Sequence, residues 1–197
     1  MRRIRTAVLI SGTGSNMVKL AEAAQDPAYP AEIVFVLSNR PDAPGLAKAQ
    51  AMGIQTAVVD HKAFATRDAF DAAVHAELSV RDIELVALAG FMRVLTPYFT
   101  RQWEGRMINI HPSLLPKHRG LDTYHRALEA GDTEHGATVH WVTAELDAGE
   151  TILQQSYPIP GDATVADLQA LMKPVEHSLY PNALEIAARR VRDIYSA

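Results

Sequence analysis

Short apolar segments alternate with longer amphipathic segments along the first 110 residues of the chain. Apolar runs of a few residues that are rich in Val and Ile predict buried strands, and apolar residues at helical spacing predict the helices between them. This order is typical of a parallel sheet that is covered by helices on both faces. The predicted strands are Ala7–Ile10, Ile33–Leu37, Gln55–Val59, Leu85–Ala89 and Arg106–Ile110, and the predicted helices are about Met17–Ala24, Gly45–Met52 and Thr66–Ser79.

The pattern changes in the last third of the chain. Two closely spaced strands, Thr138–Val142 and Thr151–Tyr157, are joined by a polar turn, which predicts an antiparallel pair at the edge of the sheet. The segment Val165–Ile194 has the composition of a helix, but we expect Pro174 and Pro181 to break or kink it. The predicted fold is therefore a Rossmann-like α/β fold with a mostly parallel sheet and an antiparallel strand pair near its C-terminal part.

Composition and charge narrow the possible partners. The 197 residues contain no Pro-, Gly- or Ser-rich linker, so we expect a single domain, 1–197. The 19 basic and 23 acidic side chains are mixed along the sequence and give a formal charge of -4, which argues against a nucleic-acid partner. The apolar run Ala7–Ile10 is too short for a signal peptide or a membrane span. The lack of cysteine excludes disulfides and fits a reducing compartment, so we expect a cytoplasmic protein with no membrane partner.

A glycine-containing turn, Ser11–Asn16, follows the first strand and leads into a helix. Glycines let the backbone approach a ligand closely, and the free amides at a helix N-terminus favour a bound phosphate. The turn lacks the third glycine of G-x-G-x-x-G and the Lys-Ser/Thr pair of a P-loop, which disfavours a dinucleotide or a nucleoside triphosphate. An ordinary strand-to-helix turn, with Ser15 or Asn16 as the cap, explains these residues equally well.

Asn109 and His111 lie near the end of the fifth predicted strand, and residues two apart on a strand share one face. An amide donor and an imidazole at the carboxyl end of a strand could together stabilise a developing oxyanion. Asp147, in the polar turn, could hydrogen-bond His111 and raise its pKa. The three residues indicate acyl transfer without a side-chain nucleophile. A structural histidine, and an ordinary turn at Asp147–Gly149, remain the alternatives.

Several further histidines crowd the same stretch, which raises the question of a metal site. The sequence has no H-E-x-x-H or similar spacing of metal ligands, so we expect no bound metal. These histidines are His118, His125, His135 and His140.

A series of motifs runs in order across nearly the whole chain: Val8–Asn16, Ala89–Leu95, Asn109–Pro116, His135–His140, Asp147–Gly149 and Glu176–His177. Through these motifs the chain resembles the folate-dependent glycinamide ribonucleotide formyltransferase family of purine biosynthesis. The resemblance implies that residues 1–105 form a phosphate-binding half and that residues 106–197 form the catalytic and folate-binding half. One departure is the run Leu121–His125, where some members of the family carry histidines close to the site.

The resemblance assigns roles to individual residues. It implies that Asn109, His111 and Asp147 are catalytic, and that the turn Ala144–Asp147 closes over the pterin ring. The residues implied to bind the substrate phosphate are Gly14, Ser15 and Asn16, with Glu176 at the ribose. The residues implied to bind folate are Arg67, Met92, Arg93, Val94, Leu95 and Asn109.

The implied reaction is direct transfer of the formyl group of 10-formyltetrahydrofolate, a co-substrate, to the amino group of 5-phosphoribosylglycinamide. Asn109 and protonated His111 would stabilise the oxyanion, Asp147 would sustain the imidazolium, and a fixed water would carry the proton to the leaving nitrogen. The partners are then small molecules, and the chain could be a monomer or a homodimer.

Other functions are compatible with the same three residues. Methionyl-tRNA formyltransferase and formyltetrahydrofolate deformylase resemble the chain around Asn109, His111 and Asp147, but we do not expect their additional domains to fit within 197 residues. A phosphate-binding turn also suits a phosphorylated amine better than water. A folate- or nucleotide-binding module without turnover is the third alternative, against which the intact set of three residues argues.

Overall fold

The computed structural model describes residues 2–195, which form seven strands, six α-helices and a short 3₁₀ turn at His61–Ala63. The strands are β1 (Ile4–Ile10), β2 (Ala31–Ser38), β3 (Gln55–Val58), β4 (Leu85–Leu88), β5 (Met107–His111), β6 (Glu134–Trp141) and β7 (Thr151–Pro158). The helices are α1 (Ser15–Ala23), α2 (Pro44–Ala51), α3 (Arg67–Ser79), α4 (Pro97–Gln102), α5 (Thr123–Glu129) and α6 (Val165–Tyr195).

All seven strands belong to one sheet with the order β3-β2-β1-β4-β5-β6-β7. Strands β1 to β5 pair in parallel, whereas β6 is antiparallel to both β5 and β7. The central strands are almost entirely buried, which explains their continuous apolar sequences. The predicted parallel sheet with an antiparallel pair near the C-terminal part is confirmed.

The core consists of two apolar clusters, one on each face of the sheet. One cluster packs strand residues against α1 and α6, and the other packs them against α3 and α4. Helices therefore cover both faces, as the alternating pattern predicted. None of the helices within residues 2–195 is both long enough and apolar enough to cross a membrane.

Helix α6 continues through Pro174 and Pro181, so the predicted break is wrong. Apolar residues along one side of this helix, such as Leu179 and Leu184, are buried against the sheet, and this packing outweighs the hydrogen bonds that the prolines remove. The helix contacts six of the strands, β1, β2, β4, β5, β6 and β7. It therefore joins residues from both ends of the sequence in one core.

Other differences from the predicted elements are local. Strand β6 begins at Glu134 rather than at Thr138, because Gly136 belongs to the strand; a Cβ there would lie 2.1 Å from the carbonyl oxygen of Gln155 on β7. Strand β5 is shifted by one residue and ends at His111. Helices α4 and α5 were not predicted, because six or seven residues are too few to display a helical period.

The order of the strands places a crevice between the carboxyl ends of β1 and β4. The chain passes from β1 to β2 and β3 on one side and then returns to β4 on the other. Ligands of open α/β sheets bind where the strand order reverses in this way. The glycine-containing turn follows β1 and the segment Ala89–Leu95 follows β4, so both lie at this crevice.

Candidate active site

The turn after β1 depends on close contact between glycine residues. Gly14 has a φ of 68°, in the left-handed region, and precedes the first residue of α1. A Cβ at Gly14 would lie 2.9 Å from the Cα of Gly45, whose amide donates to the carbonyl of Gly12 at 3.0 Å. The turn is therefore held against the N-terminus of α2, in a shape that other residues would disrupt.

A polar cavity of about 510 Å³, the glycine cavity, lies above this turn. The amide side chain of Asn16 donates to Glu176 Oε2 at 3.0 Å, and its Oδ1 is buried with no hydrogen-bond partner among residues 2–195. Burial raises the pKa of Glu176, although the hydrogen bond from Asn16 opposes this shift. The walls consist of Ser11, Gly12, Thr13, Gly14, Ser15, Asn16, Asn39, Arg40, His61, Ala89, Gly90, Met92 and Arg93.

A second cavity of about 350 Å³, the apolar cavity, lies beside the first. Met92 and Arg93 contribute to the walls of both cavities, so the two are contiguous. The Nε of Arg93 is buried without a hydrogen-bond partner in the described part of the chain. The walls consist of Leu88, Phe91, Met92, Arg93, Val94, Leu95, Thr100, Asn109, His111, Gly120, Leu121, His140, Val142, Thr143, Ala144, Glu145, Leu146 and Asp147.

Asn109, His111 and Asp147 all lie in the wall of the apolar cavity. The Nδ1 of His111 is 3.4 Å from Asp147 Oδ2, and both side chains are almost fully buried. The Nε2 of His111 donates to the carbonyl of His118 at 3.0 Å. Asp147 Oδ2 also accepts the backbone amide of Gly120 at 2.9 Å. The imidazole and the carboxylate are thus held by neighbouring backbone groups as well as by each other.

Burial lowers the pKa of His111 below its ordinary value. The carbonyl of His118 and the charge of Asp147 favour the imidazolium, but they do not compensate for the loss of water. Asp147 does raise the pKa of His111, as predicted, but burial outweighs this contribution and the net shift is downward. A negative charge developing in the cavity would raise the pKa of His111, as the charge of Asp147 does.

Asp147 keeps its negative charge despite its location. Burial raises the pKa of this carboxyl, but the neighbouring side chains of His140 and His111 and the hydrogen bond from the amide of Gly120 bring the pKa below its usual range. The ionised carboxylate of Asp147 can therefore stabilise the positive charge of a protonated His111.

His140 is a member of this cluster that the sequence interpretation considered only as a metal ligand. Its Nδ1 donates to the carbonyl of Trp141 at 3.0 Å. The Nε2 then lies 3.4 Å from Asn109 Nδ2 and 3.6 Å from Asp147 Oδ1. His140 and Asn109 are register partners on β6 and β5. The alternation of Thr138 and His140 within the buried strand was the signal that could have indicated this position.

The other predicted site residues are distributed unevenly. Gly14, Ser15 and Asn16 line the glycine cavity, and Met92, Arg93, Val94 and Leu95 line the apolar cavity. Glu176 contacts the residues of the glycine cavity through its hydrogen bond with Asn16. Arg67 is the exposed first residue of α3 and lines neither cavity. Within residues 2–195 there is no group of three or more His, Cys, Asp or Glu side chains that could hold a metal ion.

Known proteins share this arrangement of elements and motifs. The chain is 44% identical over 187 residues to the human protein named trifunctional purine biosynthetic protein adenosine-3, but it spans only 18% of the length of that protein. It is 44% identical over 174 residues to phosphoribosylglycinamide formyltransferase of Escherichia coli, covering 88% of this chain and 82% of that one. The crystal structure of phosphoribosylglycinamide formyltransferase from Brucella melitensis superposes with a TM-score of 0.90 at 46% identity, over 95% of this chain and 96% of that one.

The match to the family described as "Formyl transferase" extends over residues 4–184. It includes both cavities and the cluster of Asn109, His111 and Asp147. On this evidence, the chain belongs to the formyl transferase family.

Proposed function

We propose that the chain is a phosphoribosylglycinamide formyltransferase, which transfers the formyl group of 10-formyltetrahydrofolate to the amino group of 5-phosphoribosylglycinamide. The products are the N-formyl ribonucleotide and tetrahydrofolate, in purine biosynthesis. The observation that carries this proposal is the contact between the two cavities. One cavity is polar and has the glycine turn in its wall; the other is largely apolar and contains the proposed catalytic residues.

The glycine cavity suits a ribonucleotide. The phosphate would lie at the turn Gly14–Asn16, where the first amides of α1 are free to donate. The buried Oδ1 of Asn16 needs a donor, and ribose hydroxyls supply one. Glu176, held by Asn16, would accept from the same hydroxyls.

The apolar cavity suits the flat pterin ring of the folate. Val94, Leu95 and Leu146 supply apolar walls, and the segment 143–147 closes one side. The folate tail would then extend toward Arg93, whose buried Nε lacks a partner within the described residues. The formyl group would lie at the inner wall, beside Asn109 and His111.

The protein residues would stabilise the charge that forms during transfer. The substrate amine attacks the formyl carbon, so a C–N bond forms and the carbonyl π electrons move to oxygen. The Nδ2 of Asn109 donates to that oxygen, and once His111 is protonated its Nδ1–H, which also faces Asp147, is the second donor. When the carbonyl reforms, the bond to the folate nitrogen breaks, and that nitrogen takes up the proton that the amine loses.

The protonation of His111 is linked to this charge. Because burial lowers its pKa, the ring is mostly neutral at neutral pH before substrates bind. The developing oxyanion adds a second negative charge beside the ring, opposite the ionised Asp147. Both charges favour the imidazolium, so the ring becomes a stronger donor as the oxyanion forms.

The proposal is tested by following the consumption of 10-formyltetrahydrofolate spectrophotometrically with purified chain, with and without 5-phosphoribosylglycinamide. We expect consumption that requires the amine and yields one tetrahydrofolate for each formylated ribonucleotide. Equal consumption without the amine would indicate a deformylase. Binding of the folate without consumption would indicate a binding module. Either result would overturn the proposal.

We also propose a cytoplasmic location and small-molecule partners only. The lack of cysteine and the mixed charges along the sequence support this. Fractionation of cells that express the chain, followed by immunoblotting, would contradict the location if the protein were recovered with the membranes.

A further inference from the structure

Two backbone groups of the segment His118–Gly120, the bracket segment, hold the buried histidine and carboxylate of the proposed site. The carbonyl of His118 accepts from Nε2 of His111 at 3.0 Å. The amide of Gly120 donates to Oδ2 of Asp147 at 2.9 Å. A small displacement of this one segment would therefore change the orientation of both catalytic groups at once.

The backbone of His118 has an unusual conformation that needs support. Its φ is 53°, in the left-handed region that a residue with a Cβ seldom adopts. The next-but-one residue, Gly120, also has a positive φ, of 81°. Such conformations persist where the surrounding contacts determine them, and they occur often at functional sites.

The side chain of His118 is anchored outside the cavity, on Asp132. The Nε2 of His118 is 2.7 Å from Asp132 Oδ2, and both side chains are only 12% exposed. Lys117 binds the other oxygen of the same carboxylate at 2.8 Å. The hydrogen bonds from Lys117 and His118 lower the pKa of Asp132, so the carboxylate is ionised.

Asp132 itself has a fixed position at the end of α5. The preceding Gly131 has a φ of 67°, and the amide of Asp132 donates to the carbonyl of Ala127 at 3.1 Å. Arg126, on the same helix, donates to the carbonyl of Arg119 in the bracket segment at 2.6 Å. Helix α5 and the turn that follows it thus support the bracket segment at two points.

We propose that His118 and Asp132 are positioning residues for the catalytic pair. In this proposal the hydrogen bond between His118 and Asp132 fixes the bracket segment, whose carbonyl and amide then orient His111 and Asp147. Asp132 touches neither of the two catalytic side chains and lines neither cavity. Its influence on catalysis would pass entirely through the backbone of the bracket segment.

The chain offers a matched control for this pair. His125 and Glu129 form a second His–carboxylate pair on α5, with Nδ1 and Oε2 3.3 Å apart. Both of these side chains are 65% exposed, and neither lies in the bracket segment. Loss of Glu129 therefore removes the same type of pair without altering what holds His111.

The central experiment compares Asp132→Ala with Glu129→Ala, each assayed as the full chain with both proposed substrates. We expect kcat to fall about tenfold in Asp132→Ala, because misplaced catalytic groups lower the rate even when binding is retained. KM for each substrate should change by less than about threefold, since Gly120 is the single residue of the bracket segment in the cavity walls. Glu129→Ala should match the wild type in both constants.

A second readout reports the orientation of His111 directly. The imidazole ¹⁵N and ¹H signals of His111 are followed by NMR in the free chain across its titration, in the wild type and in both variants. We expect the His111 pKa to move in Asp132→Ala, since the His118 carbonyl that favours its charged form is released, and not in Glu129→Ala. A role for Asp132 in stability alone would lower Tm and leave these signals unchanged.

A third variant covers the case in which Asp132→Ala does not fold. His118→Asn keeps a residue that tolerates positive φ but has a shorter side chain than the original. We expect the same loss of kcat and the same movement of the His111 signals. Unchanged kcat and unchanged His111 signals in the variants that fold would overturn the proposal. A further variant, Asp132→Glu, keeps the carboxylate. If Asp132→Ala loses both properties and Asp132→Glu restores neither, the proposal is also overturned.

This inference rests on the proposed function for its kinetic part alone. If the wild type did not transfer the formyl group, the proposed function would fail, but the NMR comparison would still test whether Asp132 orients His111. If the wild type is active and the variants are unaffected, only the positioning role fails.

Discussion

The two cavities of this chain are built by opposite means. The longest continuous part of the wall of the glycine cavity is the turn Ser11–Asn16 between β1 and α1, whose backbone provides the amides. The apolar cavity is assembled from four separate stretches of sequence, at residues 88–100, 109–111, 120–121 and 140–147. The first depends on close backbone packing and the second on side chains brought together by the fold, so they should respond differently to substitution.

The largest expected effect is a loss of kcat on substitution in the apolar cavity. His111→Ala and Asp147→Ala should each lower kcat by roughly 10²–10³-fold, the loss typical of a removed oxyanion donor. KM for the ribonucleotide should change little, because the glycine cavity is intact. Steady-state kinetics with both substrates measures this. Glu150→Gln, at an exposed position, is the control, and near-normal turnover in both alanine variants would contradict the catalytic assignment.

Acid should lower the stability of the whole chain through its buried histidines. Burial lowers the pKa of His135 on β6 to about 4 from 6.5. The unfolded chain therefore takes up this proton at a higher pH than the folded chain does. His135 contributes stability that is fully present above pH 6.5 and is lost as the pH falls toward 4, up to roughly 3 kcal/mol. His111, on β5, and His177, on α6, act in the same direction.

The measurement is urea unfolding at several values of pH in the wild type and in His135→Gln, whose side chain does not titrate. We expect the free energy of unfolding to fall less steeply with acid in the variant. Parallel curves for the two proteins would show that His135 is not the group responsible.

Substitution of Gly14 should change the shape of the glycine cavity. In Gly14→Ala the Cβ meets the Cα of Gly45 at 2.9 Å and the φ is positive. We expect KM for the ribonucleotide to rise about tenfold or more and the protein to lose about 1–2 kcal/mol of stability from the strained φ. Gly105→Ala has a similar φ but open space around the Cβ, so it should lose stability and keep its KM. Equal KM values in the two variants would remove the glycine turn from the substrate site.

The smallest effect on substrate binding is expected at Asn16, whose side chain joins the glycine turn to α6. Asn16 is in the wall of the glycine cavity, and Asn16→Ala removes its hydrogen bond to Glu176 and its buried Oδ1. The loss of about 1 kcal/mol of binding should raise KM for the ribonucleotide about fivefold and leave kcat nearly unchanged. Asn182→Ala, exposed on the same helix, serves as the control. A fall in kcat with an unchanged KM would place Asn16 in the chemistry instead.

The sequence was a good guide to the regular half of the fold. Strands such as Leu85–Leu88 are buried on both faces and therefore appear as uninterrupted apolar runs. Thr66 could be read as the start of a helix, and it caps α3 through the amide of Ala69. The glycine turn could be recognised for the same reason, since the residues that form it are consecutive.

The apolar cavity was harder to predict, because its geometry depends on contacts between residues that are distant in the sequence. Asn109 and His111 were placed on one face by strand periodicity, but the burial that lowers the pKa of His111 arises from packing that no local pattern records. His140 joins them only through the register of β5 with β6. The anchoring of His118 on Asp132 depends on a positive φ and on the end of α5, and neither is evident from residue type.

The hydroxyl of Tyr180, midway along α6, donates to the carbonyl of Leu88 at 2.8 Å. Leu88 lies at the end of β4, between the strand that leads to the glycine turn and the strand that carries Asn109 and His111. Amide protons of β1, β4 and β5 should therefore exchange with deuterium as one cooperative unit, opening only with α6. A ribonucleotide bound at the turn would then slow exchange along the whole of β5, two strands away from its phosphate.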